Sequence, residues 1–500
     1  AVAANKLGRP IRFQNERRQD MQMAGSRNAI DFTYDASFDA DGKFHDCDLS
    51  MSTDGGWIPG FCFGCAAIAG VEGDVVYNFP NGFHYSVEVL LTNKPSITWM
   101  RAPGTMQAAL FSGAVLEHVA KTVGKEVEDV MEMNFYKVGD HSCTRDIVFG
   151  ENKFNFSIPQ LWAQIKQSSQ FVERKAAVEA FNGANKWKKK GIAIVPSKMD
   201  IGSGGWLMGA HVSAYTDGTV HVSTGGVEIG QGLNTKVALV VAMTLGLPVA
   251  HVRADGGDTR MCSNNASTGG SGTSESCCNA AMQAALELKS RVQDKLDRGM
   301  SWVSAIQEAK NEGQSLQAEG WFDGMTFSSS QPAYSVYGTG VAEVVIDVLT
   351  GETRLERVDL LMDVGHQLDA AVDIGQIQGG FVITLGYLFT EETKWDADGT
   401  QLFCGTWEYK VPTAYDIPVE FNVSLLKDTP NPNAMCLNSK AVAEPAMSLV
   451  SAPYLAVKQA IYAAREEFGL GSDWFQLNTP LSSETIRAAI GITEASMRLP

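Results

Sequence analysis

Three glycine-rich loops stand directly before helix-forming segments, an arrangement that can bind an anionic ligand. The first loop runs from Gly225 to Lys236 and carries Gln231 between Gly230 and Gly232. Glycine lets a ligand approach the main chain closely, and the N–H groups at a helix start attract negative charge. A plain turn at a helix entry explains this loop equally well, and both interpretations stay open.

The second and third loops have the same form with other polar groups. The second loop spans residues 267–275, and its candidate ligand groups are Gly269, Gly270, Ser271 and Thr273. The third spans residues 373–380, with Gln376 and Gly379 as candidates. Hydroxyls and amides at a helix start suit a phosphate or an oxo group. The alternatives are a helix cap with flexible glycines for the second loop and tight helix packing for the third.

One carboxylate stands in an apolar stretch that suits acid–base chemistry. Glu444 lies between Ala443 and Pro445, shortly before a segment with helical periodicity. An apolar setting favours the protonated form of a carboxyl group and so suits it to proton transfer near neutral pH. The alternative is a Glu that supports the dipole of the following helix.

Several other chemistries lack their residue patterns. Thr273 stands where a serine-nucleophile motif needs its final glycine, and Thr235 stands where a dinucleotide-binding loop needs its third. The eight histidines do not pair at ligand spacing, and His366, the most suggestive of them, is interpreted as a non-ligand. A net charge of -17 argues against binding to nucleic acid.

The elements that must position these groups are a mixture of hairpins and helices. We predict hairpins that turn near residues 39–42 and 216–219, strands at 191–195, 341–348 and 353–364, and helices at 106–122, 276–298, 373–388 and 452–467. This mixture predicts an α+β fold rather than strict strand–helix alternation. A lysine-rich stretch at 166–190 is interpreted as the connection between two domains, residues 1–160 and 161–500.

Taken together and in this order, the motifs resemble the molybdenum-binding part of the xanthine dehydrogenase/aldehyde oxidase family of molybdenum hydroxylases. The resemblance covers nearly all of the chain. It rests on the three loops, on the opening Gly8-Arg9-Pro10-Ile11-Arg12, on the turn Trp99-Met100-Arg101-Ala102-Pro103-Gly104 and on Ala443-Glu444-Pro445.

The resemblance implies an oxidoreductase with molybdopterin bound between two molybdenum-cofactor-binding domains, residues 1–160 being the remainder of the first and 161–500 the second. The pterin dithiolene would hold the molybdenum, so that the protein supplies no metal ligand. Arg101 would orient substrate, Gln231 would lie beside the metal, and Glu444 would be the general base at a Mo–OH centre with water-derived oxygen. The cofactor would be held by Gly230, Gln231, Gly269, Gly270, Ser271, Thr273, Gln376 and Gly379.

The sequence departs from the family pattern at two positions. Phe83 replaces the arginine that positions purines in xanthine enzymes, and we interpret Phe83 as a substrate contact. An aldehyde or another N-heterocycle is therefore favoured as substrate, with a purine kept as a candidate. Ala443 replaces a glycine, a small change that should be tolerated.

The resemblance also implies partners. Iron–sulfur clusters of the 2Fe–2S type and FAD are expected on an upstream part of the polypeptide or on a partner, because the nine cysteines contain no cluster motif and the chain begins at Ala1 rather than at Met. Without them we expect at most one turnover. We further expect a homodimer with a small-molecule substrate, no nucleic acid and no membrane span, in the cytoplasm or alternatively the peroxisome. A non-catalytic structural or binding homologue that keeps the fold is the competing hypothesis.

Overall fold

The computed structural model describes residues 1–150, 154–202, 207–322, 332–432 and 435–493. The helices are α1 (Val2–Leu7), α2 (Arg17–Ala24), α3 (Cys62–Val71), α4 (Thr105–Val123), α5 (Val127–Met133), α6 (Ile158–Ser168), α7 (Phe171–Ala184), α8 (Leu233–Leu245), α9 (Thr273–Ser290), α10 (Gln293–Asp297), α11 (Trp302–Asn311), α12 (Ala370–Leu385), α13 (Ser451–Glu467) and α14 (Ser483–Ile490). The strands are β1 (Ile30–Phe38), β2 (Phe44–Gly56), β3 (Gly82–Leu91), β4 (Lys188–Ile201), β5 (Met208–Ala214), β6 (Val220–Thr224), β7 (Val252–Gly256), β8 (Gln317–Phe322), β9 (Tyr334–Asp347), β10 (Thr353–Asp363) and β11 (Glu420–Leu425).

The N-terminal sheet has the order β1-β2-β3 and packs against α3 and α4. The predicted first hairpin is confirmed, because β1 and β2 pair antiparallel, whereas β3 joins β2 in parallel. Helix α4 ends at Gly124, whose φ of 67° is costly for any residue with a side chain. This glycine places the end of α4 within one residue of the predicted one.

Two four-stranded sheets form the rest of the fold. One has the order β11-β10-β9-β4 and is covered by α13, and the other has the order β7-β6-β5-β8 and is covered by α8 and α9. Both mix parallel and antiparallel neighbours. The predicted α+β fold is therefore confirmed, and the hairpin at 216–219 is the one that joins β5 to β6.

One sequence-based boundary differs from the structure. The single helix predicted at 276–298 is two helices, α9 and α10, since α9 ends at Ser290. The stretch at 166–190, predicted to connect domains, contains the end of α6, all of α7 and the start of β4. The division into 1–160 and 161–500 stays a prediction, and the largest hydrophobic core contains side chains from both ranges, such as Phe111 and Val341.

No helix in the described ranges is both long enough and apolar enough to cross a lipid bilayer.

Candidate active site

The carboxylate of Glu444 lies where distant parts of the chain meet. Glu444 precedes a short 3-10 helix, Pro445–Val450, and is only 7% exposed. Its Oε1 accepts a hydrogen bond from the main-chain N–H of Ala102 at 2.8 Å, and its Oε2 accepts one from the hydroxyl of Ser271 at 2.6 Å. One donor from the turn that contains Arg101 and one from the second glycine loop therefore fix both oxygens of this carboxylate.

Both donors to Glu444 have left-handed backbone conformations. The φ angle is 57° at Ala102 and 55° at Ser271. For a residue with a Cβ atom this conformation costs roughly 1–2 kcal/mol, so the surrounding structure must hold it. Such conformations concentrate at functional sites, where a donor has to be aimed in one direction.

Arg101 links the residue before Glu444 to the third glycine loop. Its Nε donates to the carbonyl of Ala443, and its Nη2 donates to Gln376 at both the carbonyl oxygen, 3.1 Å, and the side-chain Oε1, 3.2 Å. Burial lowers the pKa of Arg101, and the negative charge of Glu444 opposes that shift. A Cβ atom at Gly380 would lie 3.2 Å from Nη2, so the glycine provides room for this guanidinium.

The first glycine loop joins the same network through Gln376, whose Nε2 donates to the carbonyl of Gly230 at 3.0 Å. Gln231 folds back on its own loop, because its Nε2 donates to Val227 O and its Oε1 accepts from Ile229 N. Its expected role beside a metal stays a prediction.

Glu228 is a residue of the first loop that sequence reasoning missed. Its carboxylate accepts hydrogen bonds from the N–H groups of Gly230, Gly232 and Asn234, at 3.0, 3.0 and 3.1 Å. These N–H groups were expected to face an anionic ligand, and instead an acidic side chain of the same loop binds them. The signal in the sequence would have been an Asp or Glu placed just before a helix start, where its carboxylate can reach the N–H groups two to six residues further along the chain.

The second loop is attached to the first by the N–H of Val227, which donates to the hydroxyl of Thr268 at 2.9 Å. Within it, Gly269 N donates to Thr273 Oγ1 at 3.1 Å, so this buried hydroxyl stabilises the loop itself. Gly270 has a φ of 60°, which a glycine adopts without strain. The loop is therefore held in shape with only Ser271 directed at Glu444.

Phe83 is the predicted site residue that the structure does not bring to this network. It is 4% exposed, and its ring centroid lies 5.2 Å from that of Phe79 and 6.4 Å from that of Phe111 in the largest hydrophobic core. Within the described part of the chain, none of its ring contacts involves Arg101 or Glu444. Its role as a substrate contact stays a prediction.

A buried acid–phenol pair behind the second loop was also missed. The hydroxyl of Tyr334 donates to Glu275 Oε2 at 3.1 Å and accepts from Ala441 N at 3.0 Å, so it ties the start of α9 to the segment that leads to Glu444. Burial raises the pKa of Glu275 to about 8, and Tyr334 and the charge of Lys236 oppose the shift. In the sequence Glu275 is indistinguishable from an ordinary acidic residue in a first helical turn.

Replacement of Glu275 by glutamine should stabilise the protein in alkaline solution. The unfolded chain loses the Glu275 proton near pH 4.5, whereas the folded chain keeps it to about pH 8, so stability falls as pH rises through this window. Glutamine removes that loss, and we expect a gain of roughly 1–3 kcal/mol in unfolding free energy at pH 9 and little change at pH 5. Urea denaturation at pH 9 and at pH 5 measures this change in unfolding free energy. If the unfolding free energy of Glu275→Gln depended on pH in the same way as that of the parent and of the control Glu173→Gln, the raised pKa of Glu275 would be contradicted.

Comparison with known proteins points to one family. Residues 1–135 and residues 164–418 each match a family model described as a molybdopterin cofactor-binding domain. The xanthine dehydrogenase of Oryza sativa subsp. japonica is 36% identical over an alignment of 508 positions, which covers 98% of this chain and 36% of that protein. Aldehyde oxidase 3 of Mus musculus is 35% identical over 501 residues, with 98% and 37% covered.

Solved structures show the same fold. The aldehyde oxidoreductase of Desulfovibrio desulfuricans superposes with a TM-score of 0.82 at 20% identity, over 98% of this chain and 52% of that one. Quinoline 2-oxidoreductase of Pseudomonas putida gives a TM-score of 0.81 at 21% identity, over 98% and 65%.

The chain therefore belongs to the molybdopterin cofactor-binding domain family. Within it, the chain corresponds to the molybdenum-binding region of the xanthine dehydrogenase/aldehyde oxidase type, as the sequence motifs predicted. It spans only 36–37% of the length of the curated relatives that it matches.

Proposed function

We propose that the chain is the substrate-oxidising part of a molybdenum hydroxylase, which hydroxylates an aldehyde or an N-heterocycle, with a purine as one candidate, and takes the oxygen from water. The observation that carries the proposal is the position of Glu444. A carboxylate held at both oxygens, beside the guanidinium of Arg101 and at the meeting point of three glycine loops, suits a general base.

The residues present fit molybdopterin. A Cβ atom added at Gly230, Gly269 or Gly379 would have no other atom within 4 Å, so the main chain at these points is open to a large flat ligand. The amide of Gln231 keeps one N–H group besides the one that it donates to Val227 O, and a neutral donor of this kind suits phosphate or oxo groups. In the described ranges, no group of three His, Cys, Asp or Glu side chains is arranged to hold a metal ion. When bound, the cofactor supplies the two-electron redox chemistry.

The chain's own residues have separable tasks. Glu444 accepts a proton at a carboxylate oxygen, and its two donors keep the carboxylate in one orientation while it does so. Arg101 is fixed through Nε and Nη2, and its Nη1 makes no hydrogen bond within the described residues. This remaining N–H group can donate to a substrate oxygen and orient the substrate beside Glu444.

Metal analysis combined with a substrate comparison tests the proposal. We expect stoichiometric molybdenum in the purified folded protein, and a kcat/KM for small aromatic aldehydes above that for xanthine. The reason for the preference is that Phe83 cannot pair with the carbonyl oxygens of a purine. Folded protein without molybdenum would instead favour the non-catalytic homologue. A clear preference for xanthine would leave the class of enzyme intact and show that the interpretation of Phe83 is wrong.

The proposal extends to partners and location. Two electrons remain after each oxidation and must leave, so we propose 2Fe–2S and flavin domains, in the same polypeptide or on a partner, and a homodimer, as the resemblance implies. The short span of the chain relative to its curated relatives supports further domains. All nine cysteines are unpaired, which supports a reducing compartment, and we propose the cytoplasm.

A further inference from the structure

The peptide group between Arg101 and Ala102 is hydrogen-bonded to a charged side chain at each end. Its carbonyl oxygen, on Arg101, accepts from Nη1 of Arg27 at 2.8 Å. Its N–H, on Ala102, donates to Oε1 of Glu444 at 2.8 Å. A guanidinium and a carboxylate are therefore connected through one planar amide, although the two side chains belong to distant parts of the sequence.

Hydrogen bonds at the two ends of one amide strengthen each other. A positive charge on the carbonyl oxygen withdraws electron density from the amide nitrogen and makes its N–H a better donor. The orientation of this amide also needs support, because Ala102 has a left-handed φ of 57°. Arg27 supplies both the polarisation and the support.

Neighbouring side chains and a buried backbone hold the guanidinium of Arg27 in place. Its guanidinium carbon lies 5.7 Å from the ring centroid of Tyr387, and the hydroxyl of Tyr409 donates to the nearby Glu391 at 2.5 Å. Burial lowers the pKa of Arg27, and electrostatic interactions with Tyr387 and Glu391 oppose that shift most. The next residue, Asn28, is 2% exposed, so the backbone around Arg27 is anchored in the fold.

We propose that Arg27 is a positioning residue for Glu444, which acts through the peptide group between Arg101 and Ala102. This inference rests on the proposed function, because it assigns to Arg27 the control of the base that the function requires. Among the residues that the structure describes, Arg27 donates to a main-chain oxygen of the site, which fits support of the peptide group rather than binding of the substrate.

Selective isotope labelling can observe this one peptide group. The sequence contains three Arg–Ala pairs, Arg101-Ala102, Arg253-Ala254 and Arg487-Ala488. Carbonyl-¹³C arginine combined with ¹⁵N alanine in the full chain therefore gives three carbonyl–amide correlation signals, and Arg101→Lys removes the one of interest. In Arg27→Met we expect the Arg101 carbonyl carbon and the Ala102 amide proton to move together to lower frequency, while the other two signals stay in place.

Three further variants separate positioning from general disturbance. Arg27→Lys keeps a cation and should leave both signals near their parental positions. Arg27→Gln, which removes the charge, should move both signals to lower frequency, and it keeps the inference testable if Arg27→Met fails to fold. Arg354→Gln removes an exposed guanidinium on β10 and should move no signal. An Ala102 amide proton that stays in place in Arg27→Met, or in Arg27→Gln if Arg27→Met does not fold, overturns the inference.

Kinetics of the holoenzyme provide the second measurement. In Arg27→Met we expect kcat to fall roughly tenfold with little change in KM, because the base is misoriented while substrate binding is retained. Arg27→Lys should recover most of that loss. If Glu444→Gln is inactive but Arg27→Met has normal kcat, only the inference fails. If Glu444→Gln is active, the proposed function fails, and the labelling experiment still decides whether Arg27 polarises the peptide.

Discussion

Replacing Glu444 with glutamine should abolish turnover while leaving molybdenum content and folding unchanged. A general base typically contributes about 10²- to 10⁴-fold, and glutamine cannot accept the proton. The fold should tolerate the change because the amide oxygen can still accept from Ala102 N, and the amide nitrogen can donate to the hydroxyl of Ser271 after that hydroxyl rotates. Steady-state kinetics of the holoenzyme, metal analysis and the thermal unfolding midpoint together measure these effects.

The control for this variant is Glu319→Gln, since the side chain of Glu319 on β8 is 82% exposed. We expect parental activity from it. Activity of Glu444→Gln within a few-fold of the parent would refute the assignment of the base. Loss of molybdenum in that variant would show instead that Glu444 has a structural task in holding the cofactor.

Lys440→Met should cause the largest loss of stability. Lys440 Nζ lies 2.8 Å from Asp363 Oδ2, and both side chains have no exposed surface. Burial lowers the pKa of Lys440, and the charge of Asp363 opposes the shift. Removing the lysine leaves Asp363 buried and uncompensated, which costs about 3–5 kcal/mol. Because Lys440 stands four residues before Glu444, we also expect kcat to fall.

A double variant separates the lost charge from the lost packing. Lys440→Met combined with Asp363→Leu removes the unpaired charge and should recover much of the unfolding free energy measured by urea denaturation. The exposed control Lys394→Met should change it by no more than about 0.5 kcal/mol. Equal destabilisation in the single and double variants would contradict an electrostatic cause.

Much of the fold could be predicted because local rules specify it. Helical periodicity and a glycine stop placed α4 at 106–122, where the structure has Thr105–Val123. Alternation of polar and apolar residues indicated the hairpin of β1 and β2. At 166–190 the local pattern was ambiguous, because charged residues on the outer face of a helix such as α7 resemble those of a connection, and the domain boundary there stays a prediction.

For the site, the sequence by itself determined which groups are available: the three glycine loops, Arg101 and Glu444 in their order. Only the tertiary structure decided which of them touch. Glu444 meets Ser271 across 173 residues and Ala102 across 342, and packing rather than periodicity sets contacts at such separations. For the same reason Arg27 and Glu275 carried no signal, and the burial of Phe83 among aromatic rings was not apparent. Hydrogen bonds and desolvation give these side chains their roles, and both depend on neighbours that only folding brings together.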